Sequence, residues 1–148
     1  VELGRTMDNV RELLAKKGST VWSVGPDDTV IEAVRIMAER GSGALAVLDS
    51  GALVGIISER DYVRKVALKD KSSKETLVRE IMTLRVIYAT PDQRIENCMA
   101  IMNQNNIRHM PVLENGNIVG MLSLKDLVNV IIERQQSIIE ELETFILG

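Results

Sequence analysis

The chain has 148 residues, 45% of them hydrophobic, and a formal net charge of −3. At this length folding buries roughly two thirds of the unfolded surface, so a core stands without disulfide or metal, and the lone Cys98 excludes an intramolecular disulfide and points to a reducing, cytoplasmic setting. Mixed charges and only Trp22, Tyr62, Tyr88 and Phe145 as aromatics argue against a nucleic-acid partner, and neither a membrane-length apolar run nor a signal-peptide pattern over Val1–Arg11 is present.

Along the chain, Val10-Arg11-Glu12-Leu13-Leu14 predicts a short lead-in helix, and Thr20 to Val24 a short extended segment. Pro26-Asp27 stops that segment, and Asp28 or Thr29 caps a helix whose apolar face is Val30, Ala33, Val34 and Met37, with Glu32 as the reciprocal partner of Thr29. Two β-rich runs, Ala44 to Leu48 and Leu53 to Ser58, are joined at Asp49-Ser50-Gly51, and a second helix begins near Ser58. The polar stretch Lys69 to Lys74 reads as a linker.

Beyond the linker the pattern repeats. Val21–Val63 lies over Val86–Val128 at a shift of 65 without a gap, with about 13 of roughly 43 pairs identical, which marks a tandem architecture. The upstream lead-in recurs as Val78-Arg79-Glu80-Ile81-Met82, so each unit is expected to carry its own lead-in helix. The second copy has a segment Val86 to Ala89, a helix with Ile95, Cys98, Met99 and Met102 on one face, and runs Met110 to Leu113 and Ile118 to Ser123 around Asn115-Gly116, a strong hairpin signal. Cys98 matches Ala33 in this stripe and reads as a small core residue. The expected fold class is α/β (α+β): residues 6–70 form unit 1 with its lead-in helix, 75–134 form unit 2, each in β-α-β-β-α order, and 135–148 form a helical extension. From Leu124 to Ile146 an apolar helical face runs on with little left in the chain to cover it, which predicts a homodimer through this tail, with packing back onto the same chain as the alternative.

Chemistry concentrates in Gly55-Ile56-Ile57-Ser58-Glu59-Arg60-Asp61 and its copy Gly120-Met121-Leu122-Ser123-Leu124-Lys125-Asp126. Ser-x-x-Asp at a strand-to-helix junction is a capping box. It is equally suited to a ligand: Gly in a strand marks close approach by a ligand or another backbone, a helix N-terminus with Arg60 or Lys125 attracts phosphate, and the Asp accepts from both ribose hydroxyls. Arg108 and His109, just before the strand starting at Met110, are two further phosphate donors, where the first copy has Gly43 and Ala44. His109 by itself reads as a surface or core-satisfied imidazole without an acidic partner in sequence. No nucleophile with a base, paired carboxylates, metal-ligand spacing or Gly-rich phosphate loop is found, so an enzyme is the weakest reading.

The repeated β-α-β-β-α unit, the Pro-Asp helix opening, Arg108-His109-Met110-Pro111-Val112 and the two Gly-x-x-Ser-x-x-Asp motifs resemble a pair of CBS (cystathionine β-synthase) domains over nearly the whole chain. The resemblance implies two units packed about a pseudo-twofold axis, two clefts between their sheets, and binding of an adenosine ligand: AMP, ADP, ATP, S-adenosylmethionine or NAD(H). It also implies a disc-like dimer. By position, Asp61 and Asp126 would hold ribose, Ser58 and Ser123 would lie near phosphates, and Arg60, Lys125, Arg108 and His109 would supply positive charge. Adenine would lie among Ser19, Thr20, Val21, Trp22, Gly43 and Ala44 in the Asp126 cleft, or among Leu84 to Val86, Ile107 and Arg108 in the Asp61 cleft. Because the first unit lacks the basic pair, the Asp126 cleft is expected to be the better equipped. The implied role is a sensor that passes ligand state to a separate, unknown regulated protein; the rival is a ligand-independent dimeric scaffold.

Overall fold

The computed structural model describes residues 7–147; Val1–Thr6 and Gly148, and with them most of the leader region, the first residue of the expected unit 1 and the last of the tail, lie outside the described residues. Lead-in helix α1 (Val10–Lys17) is followed by β1 (Ser23–Val24), α2 (Val30–Arg40), β2 (Ala44–Asp49), β3 (Ala52–Ser58) and α3 (Glu59–Tyr62), which widens into a π-helical turn at Val63–Ala67. The second copy comprises α4 (Val78–Ile81), α5 (Ile95–Asn105), β4 (His109–Glu114), β5 (Asn117–Ser123) and α6 (Leu124–Leu147). In the first sheet β2 pairs in parallel with β1 and antiparallel with β3. In the second, β4 pairs antiparallel with β5, and a single parallel bridge from Ala89 to Val112 stands where β1 stands in the first.

Local chemistry explains why the two copies fold alike. Thr29 caps α2 by accepting from Glu32 N–H, as its position predicts. Both hairpins turn on two residues with positive φ, Ser50 and Gly51 (51° and 84°) and Asn115 and Gly116 (53° and 79°), the combination that matches the right-handed twist of paired strands. The apolar stripes bury Val30, Ala33 and Met37 on α2 and Ile95, Cys98 and Met102 on α5. Burial pushes the Cys98 thiol up to about 11, so it sits there as an uncharged core group.

The lead-in helices depart from expectation: each packs on the other unit. Val10, Leu13 and Leu14 of α1 belong to the core built from Ile95, Met102, Met110 and Leu122, whereas Val78 and Ile81 of α4 close the core around Val30, Leu45 and Ile57. The Pro-Asp loops make the exchange possible. Val78 and Arg79 N–H donate to Asp28 and Pro26 carbonyls, and Val10 and Arg11 N–H donate to Gln93 and Pro91 carbonyls, so each loop caps the helix arriving from the other half. Arg79 with Asp27 and Arg11 with Asp92 repeat the exchange as ion pairs.

Gly55 and Gly120 serve this crossing rather than a ligand. A Cβ on Gly55 would stand 2.9 Å from Met82 Sδ and 3.0 Å from the Thr83 carbonyl oxygen, and one on Gly120 would meet Leu14 Cδ2 at 2.7 Å. Because one neighbour of Gly55 is backbone, Gly55→Ala is expected to destabilise the chain by about 1–3 kcal/mol, read as a lower urea midpoint at unchanged slope. An unaltered midpoint would show that the Met82–Thr83 segment yields freely.

Candidate functional site

The exchange brings the end of β3 and the start of α3 against the segment following α4 and the turn before β4. Gly43, Ile56, Ser58, Glu59, Arg60, Asp61, Thr83, Arg85, Val86, Ile87, Ile107, Arg108 and His109 enclose a cavity of about 300 Å³ between the two units, at the small end of the range for small-molecule sites. One wall is apolar, from Ile56, Val86, Ile87 and Ile107, and three arginines face it from both halves of the chain.

Asp61 is buried, and its placement follows from the capping box. Its Oδ2 accepts from Ser58 N–H at 3.0 Å and Ser58 Oγ at 3.1 Å, while Ser58 Oγ accepts from Asp61 N–H at 3.2 Å. Oδ1 faces Lys65 Nζ at 2.9 Å and the Thr83 hydroxyl at 3.3 Å. Capping fixes the rotamer and aims the carboxylate, so the structural and ligand readings of Ser-x-x-Asp describe one geometry. The helix N-terminus contributes less than the sequence implied. α3 is a single turn, Glu59 N–H is spent on the Gly43 carbonyl at 3.0 Å, and Asp61 N–H on Ser58. Positive charge comes instead from side chains. Arg60 reaches across to donate to the Asn106 carbonyl at 2.6 Å, whereas Arg85 and Arg108 enter none of the ion pairs among the described residues.

His109 is not the cation expected of it. Burial lowers its pKa and outweighs the pull of Glu59 and Asp126, with Arg108 and Lys17 adding to the lowering. At neutral pH the imidazole is therefore uncharged, a hydrogen-bonding wall of the cavity. Its Cε1 and Nε2 would lie 2.8 and 3.0 Å from a Cβ on Gly43, so the absence of a side chain at Gly43 is what lets a ring from unit 2 close against unit 1.

Gly43, Ser58, Arg60, Asp61, Ile107, Arg108 and His109 are thus brought together, and Ser19, Thr20, Val21, Trp22, Ala44, Ser123, Lys125 and Asp126 lie outside this cavity. Arg108 and His109, expected to equip the Asp126 cleft, line the cavity with Asp61, while the main chain of the same turn stays bound to its own unit, Leu124 N–H donating to the Arg108 carbonyl at 2.8 Å. Asp126, like Asp61, is held by its own Ser and by a lysine. Its Oδ2 accepts from Ser123 N–H at 2.9 Å and from Lys17 Nζ at 2.8 Å. Burial alone would raise its carboxyl, but the Lys17 and Ser123 hydrogen bonds hold it below the usual carboxylate range. Trp22 stacks under the Arg40 guanidinium, 4.2 Å from ring centroid to Cζ. Thr83, Glu59, Ile56 and Ile87 are additions to the expected set; Thr83 precedes the repeated segment, so the 65-residue shift does not point to it.

A repeated unit whose halves exchange helices and enclose a small polar-rimmed cavity defines a tandem ligand-binding module. The CBS domain model matches residues 9–68 and 78–133, and the chain belongs to the CBS domain family. It is 39% identical over 88% of its length to the CBS domain-containing protein CBSX3, mitochondrial, of Arabidopsis thaliana, and spans 66% of that relative. Among solved structures, a protein with CBS domains from Burkholderia ambifaria superposes with a TM-score of 0.83 at 44% identity, covering 86% of this chain and 96% of that one. The CBS domain pair of protein MJ0100, solved with 5′-methylthioadenosine and S-adenosyl-L-methionine, superposes with a TM-score of 0.73 at 26% identity, covering 83% and 94%. CBS domain pairs are regulatory modules that bind adenosine ligands, generally without catalysis. Among the described residues no helix is long and apolar enough to cross a membrane.

Proposed function

We propose that the cavity beside Asp61 binds an adenine nucleotide, AMP, ADP, ATP or NAD(H), and that the chain is a sensor passing that state to a partner protein. The observation carrying this reading is the convergence, on one cavity between the units, of a buried carboxylate, three arginines and an apolar wall. Asp61 takes the ribose diol, the arginines take phosphate, and the base lies among Ile56, Val86, Ile87 and Ile107. A ligand there touches both halves at once. It therefore favours one packing of the units over another by its differential affinity, the physical requirement for a switch. The functional unit in this reading is a homodimer, and a lone cysteine suits a reducing compartment, cytoplasmic or organellar.

Calorimetric titration with AMP, ATP, NADH and S-adenosylmethionine tests the reading. Micromolar binding of at least one nucleotide, weakened at least tenfold in Asp61→Asn, is the expected result; silence across the panel in ligand-free protein would leave the scaffold reading, which the exposed apolar face of α6 favours.

A further inference from the structure

Asp61 borders the cavity with its hydrogen-bonding capacity already filled. An ionised carboxylate offers about four lone-pair sites. Oδ2 takes the Ser58 N–H at 3.0 Å and the Ser58 hydroxyl at 3.1 Å, and Oδ1 takes Lys65 Nζ at 2.9 Å and the Thr83 hydroxyl at 3.3 Å. A ribose diol brings two donors, so it binds there only by displacing donors already present. The Ser58 pair belongs to the capping box that starts α3. The donors on Oδ1 come from outside that box, and the Lys65 side chain is 44% exposed, so its ammonium can leave the carboxylate for water without being stranded.

Lys65 stands at this place because the helix after Asp61 is irregular. At the shift of 65 residues it corresponds to Val130, which α6 buries. In the first unit the buried residue is Val66, one position later, because the π-helical turn at Val63–Ala67 widens the helix: Leu68 N–H donates to the Val63 carbonyl at 2.9 Å and Lys71 N–H to the Val66 carbonyl at 3.0 Å. The position that α6 gives to the core is thereby left to a lysine, whose ammonium also donates to the Ile81 carbonyl at 2.8 Å, at the end of α4. One side chain ties together the cavity carboxylate, the π-helical turn and the helix that crosses between the units.

We propose that Lys65 is an internal competitor for the ligand: a ribose diol on Asp61 drives the ammonium off Oδ1, and its release reports occupancy to the π-helical turn and the end of α4. This rests on the reading of Asp61 as the ribose acceptor. Ammonium and diol are alternative donors to the same oxygen, so each disfavours the state that the other binds.

Adenosine, neutral and without phosphate, is the probe, so that removing a lysine does not act through charge on a phosphate. Lys65→Met, with Lys65→Gln as a second variant, is expected to bind adenosine about three- to tenfold more tightly than the wild type in calorimetric titration, a gain that Asp61→Asn added to either variant removes. In the wild type, acetic anhydride is expected to acetylate the Lys65 amine severalfold faster at saturating adenosine, read by mass spectrometry of its peptides. Unchanged or weaker adenosine binding in both folded variants, or a Lys65 amine that adenosine protects, overturns the proposal and leaves the Asp61 cavity as the nucleotide site. If neither the wild type nor the variants bind adenosine or AMP, the reading of the cavity falls and the proposal with it. Binding seen only in the variants, and lost with Asp61→Asn, upholds both.

Discussion

Arg108→Ala is expected to weaken AMP binding by about 30- to 100-fold and adenosine binding by less than about threefold. A charge-assisted hydrogen bond contributes about 1.5–3 kcal/mol, and each 1.4 kcal/mol is tenfold in affinity. Arg108 is suited to this test because it is committed to nothing else: it enters none of the ion pairs among the described residues, and the fold uses its backbone, whose carbonyl accepts from Leu124 N–H at 2.8 Å. Its removal therefore subtracts from the ligand and not from the fold, and the melting temperature should move by only a degree or two. Arg60 is a less clean target, since it also bridges the units through the Asn106 carbonyl. Lys125→Ala lies outside the cavity and serves as the control for net charge. Equal losses for AMP and adenosine would show that Arg108 shapes the cavity and does not meet phosphate. No loss for either would place the nucleotide elsewhere.

The same residues show where sequence reasoning succeeds and where it stops. Ser58 and Asp61 are legible because capping is local: a three-residue spacing fixes the geometry whatever surrounds it. The hairpins at Ser50-Gly51 and Asn115-Gly116 are legible for the same reason. What a repeat does not reveal is which copy a segment packs on. Val10 and Val78 carry the same apolar signal whether α1 and α4 fold back on their own unit or cross over, and only the carbonyls of the Pro-Asp loops, invisible as residue types, decide it. That crossing sets which arginine faces which aspartate. The sequence places Arg108 beside the adenine of the Asp61 cleft yet credits the basic pair Arg108-His109 to the Asp126 cleft, whereas in space both residues line the cavity with Asp61. Thr83 and Lys17 escaped notice for a related reason: both lie outside the segments that repeat at a shift of 65, so an alignment of identities passes over them, although Thr83 reaches Asp61 and Lys17 reaches Asp126.

The second large effect concerns α6: the wild type is expected to sediment as a dimer and Leu142→Glu as a monomer at the same concentration, and a truncation after Arg134 should do the same. The first part of the helix is anchored. Leu127 and Val130 are buried, and Arg134 donates to the Met7 carbonyl at 2.6 Å and pairs with Glu96. From there the helix projects roughly 20 Å at 1.5 Å per residue, and its apolar residues lose contact with the rest of the chain: Ile138 and Leu142 are half exposed and Phe145 is 86% exposed. Ile138, Ile139, Leu142, Phe145 and Ile146 recur at three- and four-residue spacing, continuing the stripe of Ile131 and Ile132, and define one face. A second copy brings the same face, and in a symmetric pair every substitution counts twice. Burying a leucine contributes about 1.5–3 kcal/mol, so Leu142→Glu removes about 3–6 kcal/mol from the pair, more than a hundredfold in dimer dissociation constant. The wild-type melting temperature should rise with protein concentration and that of the variant should not. A wild-type monomer across the micromolar range would sink the idea, and a dimer that survives the truncation would move the interface off α6. AMP binding in the monomeric variant then decides a further point: the residues that line the Asp61 cavity all come from one chain, so affinity for the nucleotide is expected to be retained.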